Sequence, residues 1–123
     1  STTKYPWGDE IDSSKAKYYS VDKSEEVGTV SVGSYSANAF GVHDTAGNVW
    51  EWVQDLHCDK YKDAPIDGSA KLSANGSYCE GRVLRGGSWG SLPGSRHSAA
   101  RFANLATERE FDYGFRIART LSQ

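Results

Sequence analysis

The strongest chemical hint in this chain is a pair of acids on either side of a glycine turn. Both lie in Gly41 to Asp55, GVHDTAGNVWEWVQD, where Asp44 and Gly47 precede an alternating run that contains Glu51. In an extended segment successive side chains point to opposite faces, so Trp50 and Trp52 share one face while Val49, Glu51 and Val53 share the other. A carboxylate between valines on an apolar face is costly unless a cation or hydrogen-bond donors meet it. Glu51 therefore stands on a rim or has a partner that keeps it charged. Asp44, with main-chain carbonyls freed at the Gly47 turn, offers the further oxygens of a calcium site, since that ion takes about six to eight oxygen ligands at flexible geometry. The competing reading has Asp44 starting a turn and Glu51 pairing with one of the arginines. Residue types alone leave both open.

Cysteine is the second candidate. Cys58 and Cys79 are the only two, and the polar segment between them carries turn signals at Asp67-Gly68 and Asn75-Gly76. A disulfide closing that loop contributes about 3 kcal/mol in the chain-entropy account. It is the expected pairing because the loop has few apolar residues to hold it, although two free buried thiols also suit the sequence. Such a bond favours an extracytoplasmic or cell-surface location; no signal peptide is read from Ser1 onward. His57 beside Cys58 and Asp59 lacks a second spaced cluster and is a weak metal signal. Ser91, His97 and Asp112 supply the residue types of a hydrolase without a motif that sets nucleophile and base within reach.

The elements that must position these groups are short. The chain has 123 residues, the length of one domain. Its apolar share of 37% rises to about 48% when the 13 glycines are counted, inside the globular range. Aromatic residues are plentiful and long aliphatic runs are missing, which points to a core of a few large rings joined by irregular loops. A net charge of -2 without a basic stripe argues against nucleic acid or anionic lipid as a partner, and no stretch has the length of a membrane span. Pro6 and Gly8 make the opening an extended arm, with Trp7 in need of cover. The segment from Ser13 to Gly28 reads as a charged surface loop. Strands are predicted at Thr29 to Tyr35, through the organising stretch, at Arg82 to Trp89 and at Tyr113 to Arg119, where Phe115 and Ile117 alternate with Arg116 and Ala118 to give an inner face. No amphipathic helix of useful length is found. The expected class is α+β with little regular secondary structure: short twisted antiparallel sheets and long ordered loops.

PWGDE near the start, VGSY followed by NAFGVHDTAGNVWEWVQD, then RVLRGGSW and a terminal GFRIAR resemble the formylglycine-generating enzyme, or sulfatase-modifying factor, superfamily. The blocks span nearly the whole chain. The resemblance implies a C-type lectin-like fold over residues 1–123, corresponding to the later half of a longer family domain whose other half is a missing N-terminal part or a partner chain. It also implies structural calcium held by Asp44, the carbonyls of Gly47 and Val49, and Glu51. Catalytic members oxidise a substrate cysteine with a copper-binding cysteine pair placed shortly after the GGSW-like block, thiolates being suited to the cuprous ion. No cysteine lies between Trp89 and Arg101, and Cys58 and Cys79 belong to another loop. Branches that make sulfoxides use iron ligands from a helical domain outside this stretch. Formylglycine generation by this chain alone is therefore not expected.

The stretch from RVLRGGSW to GFRIAR also resembles the variable region of proteins diversified by retroelements, in which a lectin-like scaffold presents exchangeable residues. By that comparison Gly90, Ser91, Leu92, Ser95, His97, Ala100, Phe102, Ala103, Asn104, Leu105, Phe111, Asp112 and Tyr113 form the presented surface, as loops on a rigid scaffold commonly do. The expected function is a non-catalytic, calcium-stabilised binding module for a protein or small-molecule ligand. Trp89, Phe102 and Tyr113 supply flat apolar area, and His97, Arg101 and Asn104 supply donors. Core burial is the competing role for Trp50 and Trp52, and an ion pair with Glu108, Glu110 or Asp112 the competing role for Arg101 and Arg116. The alternative function is a fragment or subunit of a formylglycine-generating oxidoreductase whose redox ligands lie elsewhere.

Overall fold

The computed structural model describes residues 2–21, 26–59, 64–74, 78–92, 94 and 97–119. A single four-stranded sheet carries the rest: β1 (Trp50–Cys58), β2 (Cys79–Arg85), β3 (Phe102–Asn104) and β4 (Tyr113–Gly114), in the spatial order β3-β2-β1-β4. β1 and β2 run antiparallel with Trp52 opposite Leu84 and Cys58 opposite Cys79, and irregular register on both sides of Leu56 bends the pair. β2 and β3 are antiparallel, with Val83 opposite Ala103. β4 joins β1 in parallel, Trp50 lying opposite Tyr113.

Two expectations of fold class need correcting. The described residues contain essentially no helix, so the helical part of α+β is absent, and the sheet is mixed instead of antiparallel. The parallel pair arises because the chain returns to β1 through the long loop after β3, which brings Tyr113 back in the same direction as Trp50. Thr29 to Tyr35 is not a strand: Gly33 has φ 75°, Ser34 N–H donates to the Ser31 carbonyl at 3.2 Å, and the resulting turn leaves Val32 exposed. β2 starts earlier than Arg82 and stops at Arg85, since Gly86 and Gly87 take φ 87° and 76° and leave the pleat. β4 keeps only the first two residues of Tyr113 to Arg119. β3, for its part, comes from a segment without a clear period.

The core sits under the centre of the sheet. Val83 and Leu84 of β2 are almost fully covered, joined by Trp50 and Cys58 at the ends of β1 and by Tyr5, Ala16 and Ala46 from the loops. Cys58 and Cys79 form the expected disulfide, closing 21 residues of sequence where β1 and β2 meet. Trp7 finds cover by stacking on Tyr5 at 5.4 Å and donating its indole N–H to the Glu10 carbonyl.

Loops are sewn to the sheet by main-chain bonds around the organising turn. Gly47 N–H donates to the Gly86 carbonyl, Asn48 N–H to that of Lys17, Trp89 N–H to that of Asn48, and Trp50 N–H to that of Asp112, all at 2.8–2.9 Å. Gly47 has φ 84°, and a β-carbon on it would fall 2.2 Å from the Lys17 carbonyl oxygen. Only glycine lets these two backbones approach so closely. The same close approach holds at Gly81, where a β-carbon would lie 2.2 Å from the Asn104 carbonyl oxygen across β2 and β3.

Candidate functional site

Glu51 has its cation, and in the structure it is a guanidinium. Arg116 Nε donates to Glu51 Oε2 at 2.7 Å and its Nη2 to Oε1, a two-pronged pair. The same guanidinium donates to the carbonyls of His43 at 2.9 Å and Asp44 at 3.1 Å. Four donor contacts thus fasten the β1 acid to the bend that precedes it, and the carboxylate holds the Arg116 guanidinium above its ordinary pKa. The competing reading of Glu51, an ion pair with one of the arginines, is thus the one the structure shows, with Arg116 bound to it in place of the nearer Glu108, Glu110 or Asp112. The fork instead reaches back across 65 positions to β1 because β4 runs beside it in parallel.

Asp44 has one satisfied oxygen and one that is not. Its Oδ2 accepts from Gly33 N–H at 2.7 Å, whereas Oδ1 is buried without a partner among the described residues. Next to it, buried Asn48 accepts from Val30 N–H at 3.0 Å and donates to the Val30 carbonyl at 3.3 Å. Asp44 and Asn48 both adopt positive φ, at 55° and 66°, a conformation that Asp and Asn tolerate better than other side chains. Sequence reasoning missed Asn48, which holds the 30s loop against the turn. Its position after Gly47, where the chain is not yet a strand, was the signal available.

The rings proposed for ligand contact form three pairs, two between strands of the sheet and one between the loops that follow β2 and precede β4. Phe102 packs on Trp50 with centroids 5.4 Å apart, Tyr113 meets Trp52 edge-on at 5.6 Å, and Trp89 meets Phe111 at 5.7 Å. Tyr113 Oη accepts from Asn104 Nδ2 at 3.2 Å, so Asn104, Trp52 and Tyr113 form one cluster. Trp50 is buried, in keeping with a core role, while Trp52, Trp89 and Tyr113 are half-buried and Phe111 is exposed.

Other predicted contact residues are dispersed. Ser91 is taken up inside its own turn: its Oγ accepts from Ser88 N–H at 3.0 Å, lies 3.1 Å from Ser88 Oγ, and its carbonyl accepts from Tyr19 N–H. Leu92 is exposed. Ser95 falls outside the described residues. His97 lines a cavity of 480 Å³ with Phe40, Glu51, Arg85 and Arg116, away from the ring pairs. Arg101 lines a different cavity of 170 Å³ beside the disulfide, with Asp55 and Lys71. Asp112 serves through its main-chain carbonyl, which accepts from Trp50. No group of three His, Cys, Asp or Glu suited to a metal occurs among the described residues.

A small curled mixed sheet, loops ordered by glycine contacts and a GNVWEW turn tied to GFR define a C-type lectin-like domain of the formylglycine-generating type. The chain belongs to the family described as sulfatase-modifying factor enzyme 1-like domain, matched over residues 1–121. It is 41% identical over 118 residues to the serine/threonine-protein kinase Pkn1 of Chlamydia trachomatis serovar L2, covering 94% of this chain and 18% of that protein. It is 31% identical over 128 residues to the formylglycine-generating enzyme of Streptomyces coelicolor, covering 94% of this chain and 40% of the enzyme. Among solved structures, PvdO from Pseudomonas aeruginosa superimposes with a TM-score of 0.74 at 38% identity, over 85% of this chain and 38% of PvdO. Treponema denticola variable protein 1 follows the same fold with a TM-score of 0.66 at 33% identity, over 83% of this chain and 34% of that one. The chain spans less than half the length of each of these proteins.

Proposed function

We propose that this chain is the ligand-presenting part of a lectin-like binding module, not catalytic by itself, with its face between Trp89 and Tyr113 and a frame stabilised by calcium. The observation that carries this reading is the set of ring pairs linking Trp50, Trp52 and Trp89 to Phe102, Tyr113 and Phe111. Two of the pairs fix rings on strands and the third on the adjoining loops, leaving Phe102 and Phe111 exposed and Trp52, Trp89 and Tyr113 half-covered for a protein or small-molecule ligand, and aromatic contact of this kind costs little conformational entropy. Likeness to a variable protein supports it. The cysteines support it too: both are spent in one disulfide, so neither is a free thiolate for a soft metal.

Calcium is supported by the orphaned Asp44 Oδ1, since a buried carboxylate oxygen without a donor suits a hard cation. Asp44, the carbonyls of Gly47 and Val49, and Glu51 would hold the ion, Glu51 sharing its carboxylate between calcium and Arg116. The ion would supply fixed positive charge and rigidity. Purified chain stripped with a chelator and dialysed against calcium, copper or iron is expected to retain calcium alone. Oxidation of a cysteine-containing peptide by the copper-treated chain would overturn the binding reading in favour of a fragment of an oxidoreductase.

A further inference from the structure

The cysteine loop folds Lys71 back onto β1 and buries it. Its N–H donates to Asp55 Oδ1 at 3.1 Å, its carbonyl accepts from Leu56 N–H at 2.9 Å, and the residue keeps only 6% of its surface in solvent. A lysine covered to that degree is unusual, because taking an ammonium out of water is costly unless negative charge or acceptors meet it. Beside it is the cavity of 170 Å³ that Arg85 and Arg101 also line, with Asp55 as its only carboxylate among the described residues. Three cations and one acid thus surround one space, in a chain whose overall charge is -2. The acid is already engaged, since Asp55 Oδ1 accepts from the Lys71 main chain. The cations have donors to offer. Arg85 uses two of its N–H groups on the Ser98 and Ala100 carbonyls, and Lys71 and Arg101, which take part in further contacts, carry three and five donors. Much of the remaining wall is apolar, with Leu56 from β1 and Val83, which shares a face of β2 with Arg85.

We propose that this cavity binds a small organic acid, its carboxylate met by Lys71, Arg85 and Arg101 and its short hydrocarbon tail lying against Leu56 and Val83. Size sets the class. A dry cavity of about 150 Å³ takes a benzene-sized ligand, so the occupant has about six non-hydrogen atoms, as in a four-carbon monocarboxylate. Apolar walls with a few converging polar groups favour such a ligand over an inorganic oxyanion, which offers those walls no hydrocarbon and loses its hydration shell against them. None of the six paired rings lines the cavity, so the site is separate from the face between Trp89 and Tyr113 and does not depend on what that face binds.

Butyrate is the probe, titrated into the 123-residue chain with amide NMR as the readout. Saturable shifts at the amides of Leu56 and Lys71 are expected, with a dissociation constant below about 50 mM, the weakest value that a six-atom ligand of ordinary efficiency gives. Butyramide keeps the shape and loses the charge; inorganic phosphate keeps the charge and loses the tail. Each is expected to bind more than about 5-fold more weakly than butyrate. Either of them binding within about 5-fold of butyrate overturns the proposal, and so does a butyrate response that stays linear to about 50 mM or is confined to amides away from the cavity. Arg101→Gln is expected to weaken butyrate by more than about 5-fold, and a smaller change removes the arginine from the site and overturns the proposal as stated. The comparison of the three probes uses the parent chain alone, so it decides the matter even where that variant does not fold. A melt that ignores calcium bears on the cation near Asp44 and leaves these outcomes unchanged.

Discussion

At the level of single residues, Glu51 shows how far side-chain chemistry is readable before coordinates. That a carboxylate among valines needs a rim position or a partner follows from desolvation, and the structure supplies the partner as Arg116. Which cation answers was not legible, because the partner comes from 65 positions away and depends on a parallel return of the chain that no local pattern encodes. Arg116 is 40% exposed and Glu51 20%, so solvent screens the pair and a two-pronged bond with two carbonyl contacts is worth about 1–2 kcal/mol. Arg116→Lys keeps the charge but loses the fork, and is expected to forfeit most of that in urea unfolding. A double-mutant cycle with Glu51→Gln should return a coupling near 1 kcal/mol; additive effects would mean that the contact contributes nothing. Gly47→Ala tests the neighbouring turn. With φ 84° and a carbonyl oxygen 2.2 Å from the added carbon, it should destabilise by more than about 2 kcal/mol, while alanine at the open Gly41, where φ is 75°, pays for backbone strain alone and should cost about 1 kcal/mol.

Elements were legible where pattern and burial agree. β1 and β2 follow from WEW and RVL because their alternate residues are covered on one side by rings and by the disulfide. TVSVGSY has the same alternation and forms a turn, since Gly33 breaks it and none of the strands among the described residues pairs with it. FAN, without any period, becomes β3 because Gly81 lets Asn104 come close to β2. Pairing thus overrode propensity in both directions. The disulfide fastens the far end of β1 and β2, and replacing both cysteines by alanine should cost about 3 kcal/mol, or more than about 10 °C in melting midpoint, if the loop of 21 positions acts through chain entropy. Two loops should respond to acid in a distinctive way. Asp12 and Asp67 each accept from the hydroxyl and N–H of the serine two positions on, at 2.6–3.0 Å, and these bonds hold both carboxyls below the usual aspartate range. A depressed folded-state pKa stabilises above the unfolded value, near about 4, and that contribution disappears as pH falls through the lowered one. In a carboxyl NMR titration both should titrate below an unbonded aspartate, and Ser69→Ala, which removes the hydroxyl bond and keeps the backbone one, should raise Asp67 alone part of the way toward the ordinary range.

For the molecule as a whole, the family was legible from block order and spacing. Asn104 and Tyr113 share a hydrogen bond, while Phe102 packs on Trp50, Tyr113 on Trp52 and Trp89 on Phe111; His97 and Arg101 line separate cavities and Ser91 is taken up in its own loop. Those three were assigned to the face by resemblance to a variable region and by lying between Trp89 and Tyr113, which says nothing about which way a loop side chain points. The frame beneath the face depends on how the bend at Asp44 is held, and two cations are in contention for its oxygens. Arg116 takes the carbonyls of His43 and Asp44 and both oxygens of Glu51, yet leaves Asp44 Oδ1 unmet. If calcium completes the set, it binds only the folded form, and at about 100 times its dissociation constant it adds about 2.7 kcal/mol, or roughly 10 °C in melting midpoint for a chain of this size. Asp44→Asn should lower calcium affinity and shrink that shift, while in chelator it replaces the buried Oδ1 that lacks a partner among the described residues and should melt no lower than the parent chain. A parent midpoint that is the same in chelator and in millimolar calcium would leave the guanidinium as the sole tie between the bend and β1, and the stabilising role of the ion would fall.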